Sequence, residues 1–196
     1  MANKVQFNIK NVHYAVKGTQ GYGTPVAIPG AVSLSVDPTG DDSTFYADGI
    51  EYYKTYNNSG YEGSLEMALI PDSFRKDILG DTEDSNNVLI ENANAPTVYF
   101  ALGFQVDGDT KSTYFWFYNC TASRPSMEAN TTEESKEPDT QTLEWSCAPD
   151  STGIVRAKTT DTTADSDIAA WFTAVYETTA SSNSNSNSNS NSNNNG

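Results

Sequence analysis

The sequence predicts a mainly β protein with one or two short α-helices, on three observations. Several segments alternate apolar and polar residues at a period of two; clusters of glycine, proline and asparagine separate them; and only two stretches carry helical spacing. The chain has 196 residues, the length of one domain. The reading places that domain at residues 1–177 and a disordered Ser/Asn-rich tail at 178–196.

In order, Val5-Gln6-Phe7-Asn8-Ile9 and Val32-Ser33-Leu34-Ser35-Val36 alternate as half-buried strands do. Between them, Gly18 to Pro25 has loop chemistry, because three glycines permit positive φ and Pro25 removes a ladder donor. Gly21-Tyr22-Gly23 lacks the third glycine of a dinucleotide fingerprint. Residues 37–61 form a long Tyr-rich acidic arm or hairpin, with turn signals at Pro38-Thr39-Gly40 and Asn57-Asn58-Ser59-Gly60. The arm holds Phe45, Tyr46, Tyr52, Tyr53, Tyr56 and Tyr61 but few aliphatic core formers. Ordering such a loop costs roughly 1–2 kcal/mol per residue, so it reads as a contact surface that orders on association. Its plainer alternative is a solvated hairpin.

Leu65, Met67 and Leu69 alternate with Glu62, Ser64 and Glu66, which is a strand with an acidic face. Pro71 to Gly80 follows as a short helix, with Phe74 and Ile78 one turn apart. Thr97–Val106 and Tyr114–Cys120 read as strands of a hairpin around Asp107-Gly108-Asp109. The second is aromatic on both faces and therefore needs cover on both. Glu128 to Asp139 reads as a mobile connection, Thr142–Cys147 as a strand, and Ile168–Tyr176, behind Asp165-Ser166-Asp167, as a short helix.

Charge and composition exclude several functions. Asp and Glu number 26 against 11 Lys and Arg, a formal net charge of −15, which opposes a phosphate-binding surface. No apolar run approaches the roughly 20 residues of a membrane span, and the N-terminus alternates too much for a signal-peptide core. Synthesis and folding in cytoplasm, with no membrane partner, is the expectation. The sequons Asn119-Cys120-Thr121 and Asn130-Thr131-Thr132 are then chance matches.

Catalytic raw material is scarce. The lone histidine, His13, rules out a multi-histidine metal centre and reads as structural. Cys120 and Cys147 are too few and too far apart for a disulfide framework or a metal knuckle, and read as buried small hydrophobes. The acidic clusters miss calcium-loop spacing, and nothing selects a catalytic carboxylate pair among the 26 acids. No cofactor, no metal and no enzymatic activity are expected.

The order of segments resembles the major tail proteins, the tube subunits of long-tailed, non-contractile bacteriophages. The resemblance spans roughly residues 5–177 and is carried by Tyr61-Glu62-Gly63-Ser64-Leu65-Glu66-Met67-Ala68-Leu69-Ile70-Pro71-Asp72-Ser73-Phe74-Arg75-Lys76-Asp77-Ile78-Leu79-Gly80. Phe45-Tyr46-Ala47-Asp48, Phe117-Tyr118-Asn119-Cys120-Thr121-Ala122-Ser123-Arg124-Pro125 and Trp171-Phe172-Thr173-Ala174-Val175-Tyr176 add to it. The Ser-Asn tail departs from that pattern. The resemblance implies a β-sandwich or barrel-like tail tube fold with short flanking helices, joined into hexameric rings that stack into a hollow conduit for DNA. It further implies a virion protein assembled in the host cytoplasm, with tape measure and tail terminator proteins as partners and passing DNA left unbound. Glu62 and Glu66 are the lumen candidates, since an acidic channel repels phosphate.

Residues 1–36 contain Lys4, Lys10 and Lys17 and no acid, whereas residues 37–66 contain seven acids and one lysine. This segregation suggests that the basic segment of one subunit meets the arm of another. The alternative function is a β-sandwich carbohydrate-binding or receptor-binding module, with Trp116, Trp145 and tyrosines stacking on sugars.

Overall fold

The computed structural model describes residues 3–127, 131 and 138–178. Its elements run β1 (Gln6–Gly18), β2 (Gly21–Tyr22), β3 (Val26–Ala27), β4 (Ala31–Thr39), β5 (Asp42–Ala47), β6 (Ile50–Tyr56) and β7 (Gly60–Met67). Then come α1 (Asp72–Asp77), β8 (Thr82–Glu83), β9 (Leu89–Ile90), β10 (Phe100–Gly108), β11 (Thr113–Ala122), β12 (Gln141–Cys147), β13 (Arg156–Lys158) and α2 (Asp165–Ala170).

One antiparallel sheet, ordered β2-β1-β10-β11-β12-β7-β4, contains most of these strands; β13 joins it on β11 and β3 on β1. The long aromatic strand β11 serves two neighbours. Phe115–Phe117 pair with β13, and Cys120–Ala122 pair with β12. Between the two stretches Asn119 adopts a φ of 52°, and the β10 register slips between Phe100 and Leu102. A strand that changes partner across a bulge bends its sheet. The sheet therefore curls around one core, bringing β4, at one end, against β1, next to the other. This is the mainly β, sandwich-like architecture that the alternating segments predict.

The inner face carries Tyr14, Leu65, Met67, Phe100, Leu102, Phe117 and Leu143. Helix α1 is too short to stand alone and is held by packing. Its Phe74 is fully buried, edge-on to Tyr14 at 5.1 Å and to Phe100 at 5.7 Å, and the Tyr14 hydroxyl donates to Asp77 Oδ2 at 2.7 Å. Burying one such ring contributes about 1.5–3 kcal/mol.

The aromatic strand has the two covers that its sequence demands. Phe115 and Phe117 face the main core, while Trp116 and Tyr118 meet the C-terminal segment in a second cluster with Trp171. Trp116 Nε1 donates to Trp171 O at 3.0 Å, the Tyr118 hydroxyl donates to Tyr176 O, and Phe172 stacks on His13 at 4.3 Å. His13 is thereby a structural residue, its Nδ1 lying 2.9 Å from Asn11 O.

Several sequence expectations need correction. Asp107-Gly108 is not the β10–β11 turn, because both residues stay in β10 and pair with Phe7 and Gln6 of β1. The chain reverses at residues 109–112 instead. Val5 and Phe7 face solvent, because Asn8 and Asn11, at φ 60° and 53°, sit at register shifts that break the alternation of β1. A register shift beside Val32 likewise leaves it exposed. Leu69 lies beyond the end of β7 and is exposed, not on the buried face with Leu65 and Met67. Both helices are shorter than expected, six residues each. Residues 179–196 of the Ser/Asn-rich tail, and 128–130 and 132–137 of the acidic connection, lie outside the described residues.

Candidate assembly surfaces

Residues 37–61 are not one loose arm. Asp37, Pro38 and Thr39 close β4 and pair with Glu62, Tyr61 and Gly60 of β7 in the main sheet. Above them the ladder continues, with Ser59 N donating to Thr39 O at 2.8 Å and Asn57 N to Asp41 O at 3.0 Å. It ends in the separate hairpin β5–β6, which pairs only with itself. The arm is thus the distal end of the β4–β7 ribbon, about 20 Å of strand at about 3.3 Å per residue. Gly40 sits where the two backbones cross, since a Cβ there would lie 1.8 Å from Asn57 O. At the tip, Asp48 and Gly49 adopt φ of 53° and 79°, the pair of positive values that a two-residue hairpin turn of type I′ requires. That Asp-Gly dipeptide was readable in the sequence and marks the true turn.

Among the described residues, no other element pairs with this hairpin, and its large side chains stay exposed. Phe45, Tyr46, Tyr52, Tyr53 and Tyr56 are 60% to 76% exposed. Phe45 and Tyr53 face each other across the strands. Lys54, opposite Thr44, reaches diagonally to Asp42 at 2.8 Å and lies over the Tyr56 ring at 5.2 Å. The Lys54 ammonium holds the Asp42 carboxyl below its ordinary range, and Asp42 holds Lys54 above its own. Tyr61 differs from the other aromatic candidates. It is half-buried, edge-on to Phe117 at 5.3 Å, with the Arg156 guanidinium 4.9 Å above its ring.

The outer face of β4, β7 and β12 gathers Glu62, Glu66, Asp37 and Glu144 among serines and threonines. None of these three strands contains a lysine or arginine. Asp37 and Glu62 stand directly opposite each other, a like-charge pairing that disfavours the ladder. Glu66 accepts the Ser33 and Thr140 hydroxyls, each at 2.8 Å, and these lower its pKa. With Thr121, Ser123 and Ser146, the face forms a shallow groove of about 540 Å³.

The three N-terminal lysines are placed differently from one another. Lys10 Nζ contacts Asp107 Oδ2 at 2.7 Å, and Asp107 also accepts Ser112, Asn8 and Gln105. Lys10 first and Ser112 second hold that carboxyl well below the usual range. Lys17 donates to Asn119 Oδ1 at 3.0 Å. Lys4 donates its backbone N–H to Asp109 and lines a groove with Lys158 and Thr113. Within one chain, then, Lys10 and Lys17 already have polar partners, and the arm is not among them.

Arg124 has a structural role that its place in the sequence does not signal. Arg124 bonds Asp81 at 2.8 Å, Glu91 at 2.9 Å, Leu79 O at 3.1 Å and Asn92 O at 3.3 Å, tying the end of β11 to the loop after α1.

No family model and no curated protein matches the chain. Solved structures do. A chain of the anti-feeding prophage baseplate, 6-fold symmetrised, is similar at 13% identity and a TM-score of 0.48, covering 81% of this chain and 97% of that one. A chain of the anti-feeding prophage cap, which terminates the tube, is similar at 11% identity and 0.44, covering 82% and 95%.

Trp116 and Trp145, the stacking residues of the sugar-binding alternative, are 0% and 3% exposed and present no ring face to a ligand. Among the described residues, no cluster of histidine, cysteine or carboxylate side chains could hold a metal ion, and no helix is long and apolar enough to cross a membrane.

Proposed function

We propose that this protein is a structural subunit of a phage tail, the major subunit of its tube, which assembles into hexameric rings that stack into a conduit for DNA. The observation that carries the reading is the uncovered aromatic hairpin β5–β6. It is ordered by its own ladder and I′ turn, yet it leaves its rings in water. A monomer gains little from that exposure, whereas a neighbouring copy that covers the rings gains their full burial. Rings joined head to tail place the same arm at every level, so heterologous stacking propagates.

The cation-free face of β4, β7 and β12 supports the same reading. Turned toward a lumen, Asp37, Glu62, Glu66 and Glu144 would repel passing phosphate and keep DNA from adhering. The order of motifs over residues 5–177, which resembles tail tube subunits, supplies the ring number, the tape measure and terminator partners, and assembly in the host cytoplasm. On this reading the protein acts without catalysis and without a cofactor.

Negative-stain electron microscopy over a concentration series tests the proposal. Rings, and then tubes of constant width, are the expected result. Particles that stay monomeric at the highest concentration, in crowding agent and at low salt, would refute it.

A further inference from the structure

The two cysteines, 27 positions apart in sequence, are brought together by the sheet. Cys120 of β11 and Cys147 of β12 are direct cross-strand partners, both in the main core, and the Cys120 thiol donates to Phe117 O at 3.4 Å. Facing residues on antiparallel strands have Cα atoms about 4.5–5.5 Å apart, within the roughly 4.4–6.8 Å that a disulfide spans. The pair lies where β11 passes from β13 to β12. Cys147 also pairs with Tyr61, and a Cβ on Gly60 would meet its carbonyl at 1.9 Å, so the pair sits at the root of the arm.

We propose that Cys120 and Cys147 form a modification site: a peroxide converts the pair, in the folded protein, to an intrachain cross-strand disulfide that ties β12 to β11 at the root of the arm. The two thiols have distinct roles. Burial pushes the Cys120 thiol up, whereas the Cys120 thiol beside it lowers Cys147, helped by the Tyr61 backbone and the Arg156 charge. Cys147 therefore ionises first, and it is the residue with some exposure left, 5% against 0% for Cys120.

The Cys147 thiolate attacks one oxygen of hydrogen peroxide. The O–O bond breaks, hydroxide leaves, and Cys147 becomes a sulfenic acid. Cys120 sulfur then attacks Cys147 sulfur, the S–O bond breaks, and the Cys120 proton leaves with the departing hydroxyl as water. In sum, two thiols and one peroxide give one disulfide and two waters, with peroxide as the two-electron acceptor. The bridge does not depend on the tube reading, because its partners belong to one chain.

The test is to treat the folded full-length chain with hydrogen peroxide and follow intact mass and non-reducing peptide maps. The expected product is about 2 Da lighter, carries a Cys120–Cys147 peptide, resists iodoacetamide and reverts with phosphine. Its thermal midpoint should rise by roughly 5 °C. Cys120→Ala should instead trap the Cys147 sulfenic acid as a dimedone adduct. Wild-type protein that remains reduced, gains oxygen at Cys147 without bridging, or cross-links between chains would overturn the proposal. These readouts on the wild-type chain stand whether or not the variant folds.

Discussion

Replacing Phe45 and Tyr53 together with serine should separate assembly from folding. The two rings are 60% and 62% exposed and stand opposite each other in the arm hairpin. An aromatic side chain offers about 150–250 Å², so the pair leaves about 250 Å² in water, and full cover at about 25 cal/mol/Å² would contribute about 6 kcal/mol. Ordering of side chains and incomplete packing remove a good part of that. If half survives, the double variant loses about 3 kcal/mol per docked arm, or about 100-fold in association at about 1.4 kcal/mol per tenfold. The isolated fold should lose far less, about 0.2–1 kcal/mol for the cross-strand pair. Sedimentation across a dilution series gives the critical concentration for polymer, and thermal unfolding of the monomer gives the control. A critical concentration within about threefold of wild type, with the fold intact, would refute the assignment of the arm to assembly.

Other perturbations probe the scaffold. Gly40→Ala places a Cβ 1.8 Å from Asn57 O, so the ribbon must open at its root at a cost of about 1–3 kcal/mol; amide exchange should accelerate at Asn57 and Ser59 while the core amides of β10 stay protected. Arg124→Ala leaves the buried Asp81 carboxylate without its cation, and because Arg124 is itself 31% exposed the loss should be about 2–3 kcal/mol, below that of a fully buried pair, read as a lower denaturant midpoint. In alkali, burial lifts the phenols of Tyr14 and Tyr22 to about 12, above an unfolded value near 10, and lifts Tyr118 further. The unfolded chain therefore releases these protons first, so stability is full below about pH 10 and is lost as pH rises toward 12. Absorbance at about 295 nm should show these three tyrosines titrating with or after unfolding, and ionisation of all eleven near pH 10 in the folded state would contradict it.

Much of this fold is legible in the sequence alone, for physical reasons that can be named. β7, with Leu65 and Met67 inward and Glu62, Ser64 and Glu66 outward, was readable because a period of two needs only neighbouring residues. The demand of Tyr114–Tyr118 for cover on both faces was equally local, and so was the isolation of an aromatic arm poor in aliphatic residues. Other features were misread because bulges carry weak sequence signals. Asn8 and Asn11 turn Val5 and Phe7 outward, and Asp107-Gly108 looks like a turn until β1 is seen to pair with it.

By itself, the sequence determined the β class, the acidic balance, the single histidine and the existence of an aromatic segment that its own core could not absorb. These follow from composition and from contacts within a few residues along the chain. Only the tertiary structure decided that β11 changes partners, that Cys120 meets Cys147, that Asp37 and Glu144 join Glu62 and Glu66 on one face, and that Arg124 clamps Asp81. Each of those depends on strand order and register, and many sequence-distant pairings satisfy the same alternation; burial of one shared core selects among them.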